Sequence, residues 1–299
     1  MLEALGEDDQ DATEEATLLV DRNGEREITT TTFTTLDNEA ESTREQSGMI
    51  MISRFQQYTN VAAHVLALTI IVVVYAWISK LGGLISPWQA TGRAKIVFNW
   101  HPLLMVTAFS FMTVSSLSFR ANWYKSDNIH HNNRNVVKLI HAMGWAVAAL
   151  AATLGLLAVF QSHNDRQSGY IANMYSLHSW IGAGVILLYV IQFGVGLRAF
   201  GGPLASRKWT QPARALLLRF HVVIGPMIYF LTGVTILLGI QEKEGFIGCG
   251  YKVDSPDLFP IQHIGKIPSV CLVSHILGIL VFLTMIAVGL ALADFRRDA

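Results

Sequence analysis

Six uninterrupted apolar stretches, residues 58–79, 96–119, 136–160, 174–197, 215–240 and 268–293, take up most of a chain of 299 residues. Each is 22 to 26 residues long, enough for a helix to cross a hydrocarbon core that takes about 20 residues. Within that core every backbone N–H and C=O must be paired inside the chain, which leaves helices or a closed barrel. Barrel strands read as alternating segments of about ten residues, whereas these runs are continuous. The expected fold class is therefore all-α and integral to a membrane, with six transmembrane helices and lipid as the first partner. Charged residues are 15% of the chain, against roughly 25% in soluble globular domains, so a water-soluble enzyme is excluded.

The formal net charge of zero hides a split. Residues 1–50 carry fourteen Asp and Glu against three Arg, while residues 51–299 carry nineteen Lys and Arg against eight Asp and Glu. The first segment is acidic, rich in Thr and poor in large apolar residues, so it cannot bury enough surface to offset its ordering entropy. Two regions follow: a disordered acidic tail, 1–50, and a transmembrane domain, 51–299. The first apolar core begins only near Tyr58, so no cleavable signal is expected. Eleven Lys and Arg fall in the loops and termini on one side and seven on the other; the positive-inside rule puts both termini in the cytoplasm.

Ionisable residues inside a membrane helix are costly and point to function. Six of the ten histidines lie in the spans, one per helix: His64, His101, His141, His178, His221 and His275. Each follows its helix start by four to seven residues and successive helices alternate in direction, so the six fall in two layers. His64, His141 and His221 lie toward the cytoplasm; His101, His178 and His275 lie toward the other face. Two histidines at equal depth on facing helices suit bis-histidine haem ligation, and two layers suggest two haems. Depth alone leaves open which two of three in each layer are ligands.

The segments FNWHPLLMV around His101, KLIHAMGW around His141, NMYSLHSWIG around His178 and LRFHVVIGP around His221 closely resemble the four haem-ligand segments of the eukaryotic cytochrome b561 family. The resemblance runs from about Arg54 to Arg297. It implies that the second to fifth helices form a four-helix bundle around two non-covalent haems b, one held by His101 and His178 on the non-cytoplasmic side, the other by His141 and His221 on the cytoplasmic side. It implies electron transfer from cytoplasmic ascorbate to an acceptor across the membrane, ferric iron or monodehydroascorbate, by a protein that is a homodimer. His64 and His275 are then structural. The spacings of 40 between His101 and His141 and 43 between His178 and His221 hint at a duplicated helix pair.

Ascorbate is an anion and needs cations beside the haem edge. Arg134 and Lys138 precede His141 by seven and three residues and Arg214 precedes His221 by seven, spacings that share the ligand's helix face. The family has basic residues at these positions; the plain alternative is the positive fringe of any cytoplasmic face. By the same resemblance Arg120 contacts a haem propionate or ascorbate and Arg296 meets the cytoplasmic haem propionate, with membrane anchoring the simpler role for Arg296. On the opposite face Phe160 and His163, in VFQSHN, match the family element whose histidine takes the acceptor or a metal ion, and His163 is expected in an exposed loop. Asn173, Met174, Tyr175 and Ser176 resemble the haem-lining stretch before His178. Glu242, expected in a turn after the fifth helix, matches a glutamate near the same haem.

Cys249 and Cys271 sit in or beside the last non-cytoplasmic loop, where an oxidising lumen permits a disulfide and free thiols are equally compatible. No CxxCH, Rossmann or Walker pattern occurs, so the electron donor must be diffusible; nucleic acid is not an expected partner. Glu14-Glu15-Ala16-Thr17-Leu18-Leu19 has the form of an acidic dileucine signal read by sorting adaptors. It favours endosomal, lysosomal or secretory-vesicle membranes over the plasma membrane. The competing function class is a non-redox carrier, transporter or sorting partner on the same helical frame. A metal or proton transporter would carry acidic residues beside the histidines, and from 58 to 240 these occur only in loops.

Overall fold

The computed structural model describes residues 31–86, 92–120, 130–201, 209–250 and 267–293, with side chains described from Arg54 onward except those of 120 and 130–134. The chain divides into two compact units, residues 1–55 with 294–299, and Gln56–Ala293. Among the described residues the fold is all-helical: α1 (Thr31–Lys80), a one-turn helix Ala94–Val97, α2 (Trp100–Leu117), a 3-10 turn Ser118–Arg120, α3 (His130–His163), α4 (Leu177–Phe200), α5 (Gln211–Ile247) and α6 (Ser269–Leu292). Six of these helical segments are long and apolar enough to cross a membrane: Arg54–Lys80, Ala94–Leu117, Asn135–His163, Leu177–Phe200, Gln211–Ile247 and Ser269–Leu292.

Differences from the expected boundaries have local causes. Residues 31–50, expected without fixed structure, belong to α1. Once a membrane span has nucleated, each added residue gains a hydrogen bond without a new nucleus, and this stretch offers Glu, Ala, Arg and Gln, all good helix formers. Residues 1–30, and with them Glu14–Leu19, lie outside the described residues. α4 starts at Leu177 rather than Met174 because Ser176 caps it: its hydroxyl accepts from Ser179 N–H while the Ser179 hydroxyl accepts from Ser176 N–H, a reciprocal cap that satisfies two orphan donors. α5 runs on to Ile247 and stops at Gly248, which takes φ 74°, the left-handed closure that glycine adopts without a Cβ penalty.

The interior is built where α2, α3, α5 and α6 pack together with α1. Trp77, Phe109, Leu117, Ile228, Tyr229 and Leu277 are fully buried in it. Phe109 and Tyr229 stack at 4.8 Å, and the Tyr229 hydroxyl meets Thr113 Oγ1 at 2.9 Å, which satisfies the polar end of a ring lying between helices. α1 is tied to α2 where the Ser110 hydroxyl donates to the Ala67 carbonyl. α4 buries only Val185 and Ala199 and turns Leu187, Leu188, Val190 and Ile191 outward. Such a surface suits lipid and would be costly in water.

One end of the bundle, the end of His163, is cross-linked by side chains. Asp165 accepts from Gly92 N–H at 2.9 Å, Ser168 Oγ accepts from Ala94 N–H, and Lys80 Nζ donates to Ser269 Oγ. Cys249 and Cys271 form a disulfide with Cα atoms 5.6 Å apart, resolving the alternative that the sequence left open. It ties the end of α5 to the first turn of α6. A closed loop of this length contributes about 3 kcal/mol in the chain-entropy view. Maleimide labelling of unreduced, denatured protein should find no free thiol at these positions, and Cys271→Ser should lower the thermal midpoint in detergent; full labelling of both cysteines in unreduced protein would contradict the pairing.

Candidate functional site

Four of the six membrane histidines meet in two pairs. The rings of His101 on α2 and His178 on α4 lie 6.0 Å apart; those of His141 on α3 and His221 on α5 lie 6.1 Å apart. His64 and His275 join neither. His64 Nδ1 meets the Asn60 carbonyl at 2.7 Å within its own helix, and His275 Nε2 lies 3.4 Å from Glu244 Oε1.

Each pair is aimed by the backbone of a neighbouring helix. His101 Nδ1 meets the Gly155 carbonyl at 3.2 Å, His178 Nδ1 the Thr235 carbonyl at 2.9 Å, and His141 Nδ1 the Ser115 carbonyl at 2.9 Å. A carbonyl can only accept, so in each ring Nδ1 carries the proton and Nε2 keeps its lone pair. For His221 the neighbouring contact is made by its backbone instead, whose carbonyl accepts from the Gln192 amide at 2.8 Å. His221 Nδ1 is buried with no hydrogen-bond partner among the described residues.

These contacts follow one rule. His101 and Ser115 on α2, His141 and Gly155 on α3, His178 and Gln192 on α4, and His221 and Thr235 on α5 are each 14 residues apart. Fourteen residues are close to four turns, so both members share a face about 21 Å apart along the axis. Each helix thus presents a histidine at one depth and a group that holds the other pair's histidine at the other depth. The α2–α3 and α4–α5 hairpins repeat this plan.

Glycine makes room for two of the rings. A Cβ on Gly239 would come within 2.8 Å of His178 Cε1, and one on Gly196 within 3.0 Å of His221 Cε1. Without side chains there, each imidazole brings its Cε1 up against the facing helix.

Around the His101–His178 pair the sequence-expected residues and others converge. His163, expected exposed, is the last residue of α3 and is buried. The reason is non-local: Asn173 Oδ1 accepts from its Nδ1 at 3.1 Å, and Phe98 stacks on it at 6.5 Å with the planes 6° apart. Phe98 also lies 5.5 Å from the His101 ring, and Tyr175 lies 6.4 Å from His163 on its other side. Glu242, expected in a turn, is helical and accepts from the Tyr175 hydroxyl and from Ser176 Oγ at 2.9 Å. Burial, with the Glu242 hydrogen bond and charge added, pushes the Tyr175 hydroxyl above its ordinary range, so it stays a donor. Met174 sits at φ 58°, and Phe160 is exposed. Phe98 and Lys243, whose ammonium lies 4.5 Å above the Phe98 ring, escaped the sequence reading; a signal for Phe98 was its place one turn before His101.

At the other end, Phe119 and Trp145 flank His141 at 5.3 and 6.2 Å, and Phe200 flanks His221 at 5.7 Å. Lys138 is exposed and Arg214 half-buried, one and two turns outward from the paired rings. Arg134 is within α3 and Arg120 within the 3-10 turn, but their side chains lie outside the described residues, as does Arg296 entirely.

A model of the eukaryotic cytochrome b561 family matches residues 100–247, the stretch that contains all four paired histidines. The probable ascorbate-specific transmembrane electron transporter 2 of Oryza sativa subsp. japonica is 37% identical over 186 residues, 62% of this chain and 72% of that protein. The chain belongs to the eukaryotic cytochrome b561 family. Transmembrane ascorbate ferrireductase 1 of Arabidopsis thaliana is 35% identical over 189 residues, 63% of this chain and 72% of the relative. The mouse plasma membrane ascorbate-dependent reductase CYBRD1 is 35% identical over 163 residues, 54% of this chain. The match spans about half the length of the CYBRD1 relatives.

The histidine pairs fit a haem of this family. Centroid separations of 6.0 and 6.1 Å would leave room for one metal ion held at about 2 Å by a nitrogen of each imidazole. A lone pair on Nε2 with the proton held on Nδ1 by a carbonyl is the tautomer a metal requires. Among the described residues no group of three or more His, Cys, Asp or Glu that could hold a bare metal ion occurs.

The loop beside His163 yields a pH test. The Ser168 hydroxyl, with Gly92, Gln167 and Ser168 N–H groups, holds the Asp165 carboxyl below its usual range. Because the folded form is the better acid, this contribution is present at neutral pH and is lost as pH falls below the ordinary carboxylate value of about 4. Protection of the Gly92 amide from hydrogen exchange should fall on acidification through that window, and Asp165→Ala should abolish it at pH 7; protection unchanged by the substitution would contradict the contact.

Proposed function

We propose that this chain carries single electrons across a membrane, from ascorbate at the Lys138 end to ferric iron or monodehydroascorbate at the His163 end. It does so as a two-haem b protein with His141 and His221 holding one group and His101 and His178 the other. The observation that carries the reading is the two-level arrangement of imidazole pairs, each at ligand-pair separation, on the four helices that match the family. The relatives' names, ascorbate-dependent reductase, ascorbate ferrireductase and ascorbate-specific electron transporter, support ascorbate as donor.

Haem, when bound, supplies an iron that gains and loses one electron without changing its ligands. The protein's part is to hold and insulate. The Gly155, Thr235 and Ser115 carbonyls fix three imidazoles in the ligand tautomer and raise their basicity, and apolar helix faces keep water out between the two levels. At the Lys138 end, Arg134, Lys138 and Arg214 raise the local concentration of an anionic donor, and Arg120 and Arg296 keep the contact roles that the family resemblance implies. At the His163 end, Asn173 holds the His163 proton on Nδ1, which leaves Nε2 free to meet an acceptor or its metal. Tyr175, Ser176 and Glu242 form the hydrogen-bonded wall next to it, with Met174 at its turn.

The same reading has both termini in the cytoplasm, a homodimeric assembly, and an endosomal, lysosomal or secretory-vesicle membrane reached through adaptors at Glu14–Leu19.

His141→Ala or His221→Ala should abolish the ascorbate-reducible haem while sparing part of the other centre, read in reduced-minus-oxidised spectra. Gly239→Val, which drives a side chain into His178, should remove about one haem per chain. Gly184→Val, where nothing lies within 4 Å of a Cβ, should remove none. Spectra unchanged in both histidine variants would overturn the pairing.

A further inference from the structure

Lys243 has a cation's burial problem without the usual solution. It is half-buried near the inner end of the polar turn Gln241-Glu242-Lys243-Glu244, and both neighbouring carboxylates are engaged elsewhere. Glu242 takes the Tyr175 and Ser176 hydroxyls. Glu244 takes the Ser274 hydroxyl and faces His275. Successive helical residues point about 100° apart, so these two glutamates flank Lys243 toward α4 and α6 respectively and leave its own face to the bundle interior. That face is the one of Gly239, four residues earlier, against which the His178 ring lies. The Lys243 backbone thus lies one turn, about 6 Å, beyond Gly239 along α5, and its Nζ stands over the Phe98 ring at 4.5 Å.

A second cation lies on the Phe98 element. Lys95 is in the one-turn helix Ala94–Val97, whose C-cap is Phe98. No carboxylate within salt-bridge distance of either lysine occurs among the described residues. A half-buried cation beside an apolar ring is unfavourable unless an anion joins it, and the Phe98 ring compensates Lys243 only weakly.

We propose that Lys243 and Lys95 seat a carboxylate at the His163 end of the bundle, a propionate of the haem held by His101 and His178. The proposal rests on the function proposed above, because it needs that haem. The same chemistry would also receive the carboxylate of an anionic ferric chelate, and the two sources separate experimentally. A cation beside the haem edge disfavours the ferric, more positive state, and it also screens the propionate's own charge. Removing it lowers the reduction potential of that haem alone.

The test is a potentiometric titration of purified holoprotein, with haem content measured alongside. In Lys243→Gln one haem component should shift to lower potential, its ferrous-to-ferric ratio at the wild-type midpoint falling at least fivefold, while the other component stays in place; Lys243→Arg should restore most of the ratio. Lys95→Gln, at an exposed position, should give a smaller shift of the same component and serves if Lys243→Gln fails to fold. Unchanged potentials with a KM for ferric citrate raised at least fivefold would assign the seat to the acceptor's carboxylate. Unchanged potentials and unchanged KM, at full haem content, would overturn the proposal. Wild-type protein that binds no haem would overturn the parent reading instead.

Discussion

The structure depends on a ring N–H given to the main-chain carbonyl of another helix. In three of the four paired histidines this bond fixes the tautomer, the ring's rotation and the approach of two helices at once. It also engages a carbonyl that is already part of a helix ladder, using its second lone pair. In lipid no water can compete for that lone pair or for the imidazole N–H, so a modest hydrogen bond becomes a firm positional constraint. The helices must then pass close enough for a ring to reach a backbone, and this explains Gly239 opposite His178. His221 is the exception, held through its own carbonyl by Gln192, with no hydrogen-bond partner for its Nδ1 among the described residues.

The 14-residue spacing turns four local contacts into a two-level frame. Each of α2 to α5 contributes one ring and one backbone or amide contact at separate depths, so neither level can shift along the axis without disturbing the other. The two ends nevertheless differ. The His163 end is dense in hydrogen bonds, a disulfide and loop contacts, and it covers His163 and Phe98. At the Lys138 end the described residues place Phe119, Phe200 and Trp145 around the paired rings, with Lys138 and Arg214 on the outward turns.

Much of this was legible from residue order because the membrane makes it so. The requirement for pairing every backbone group forces long apolar runs, and the six runs fall within or nearly within the six helical spans. Histidine stands out in such runs, and alternation of helix direction was enough to separate two layers. Pairing within the layers came from local resemblance and not from depth. What periodicity missed was set by contacts distant in sequence. Glu242 reads as a turn residue, yet it is helical with two hydroxyls from the start of α4 against it. His163 reads as a solvated loop residue until Asn173 and Phe98 close over it. Lys243 is one cation among several in a polar stretch, and only the engagement of both flanking glutamates elsewhere singles it out. Residues 31–50 look too polar to order on their own, and they are helical as the continuation of a span.

The most direct test of the central claim is the haem stoichiometry of the purified chain, by pyridine haemochrome assay, together with its reduction by ascorbate. Two haems b per chain, both absent when the four paired histidines are replaced together and both retained when His64 and His275 are, is the result this account predicts. Stably folded wild-type protein with no haem, or haem retained without the four histidines, would contradict it.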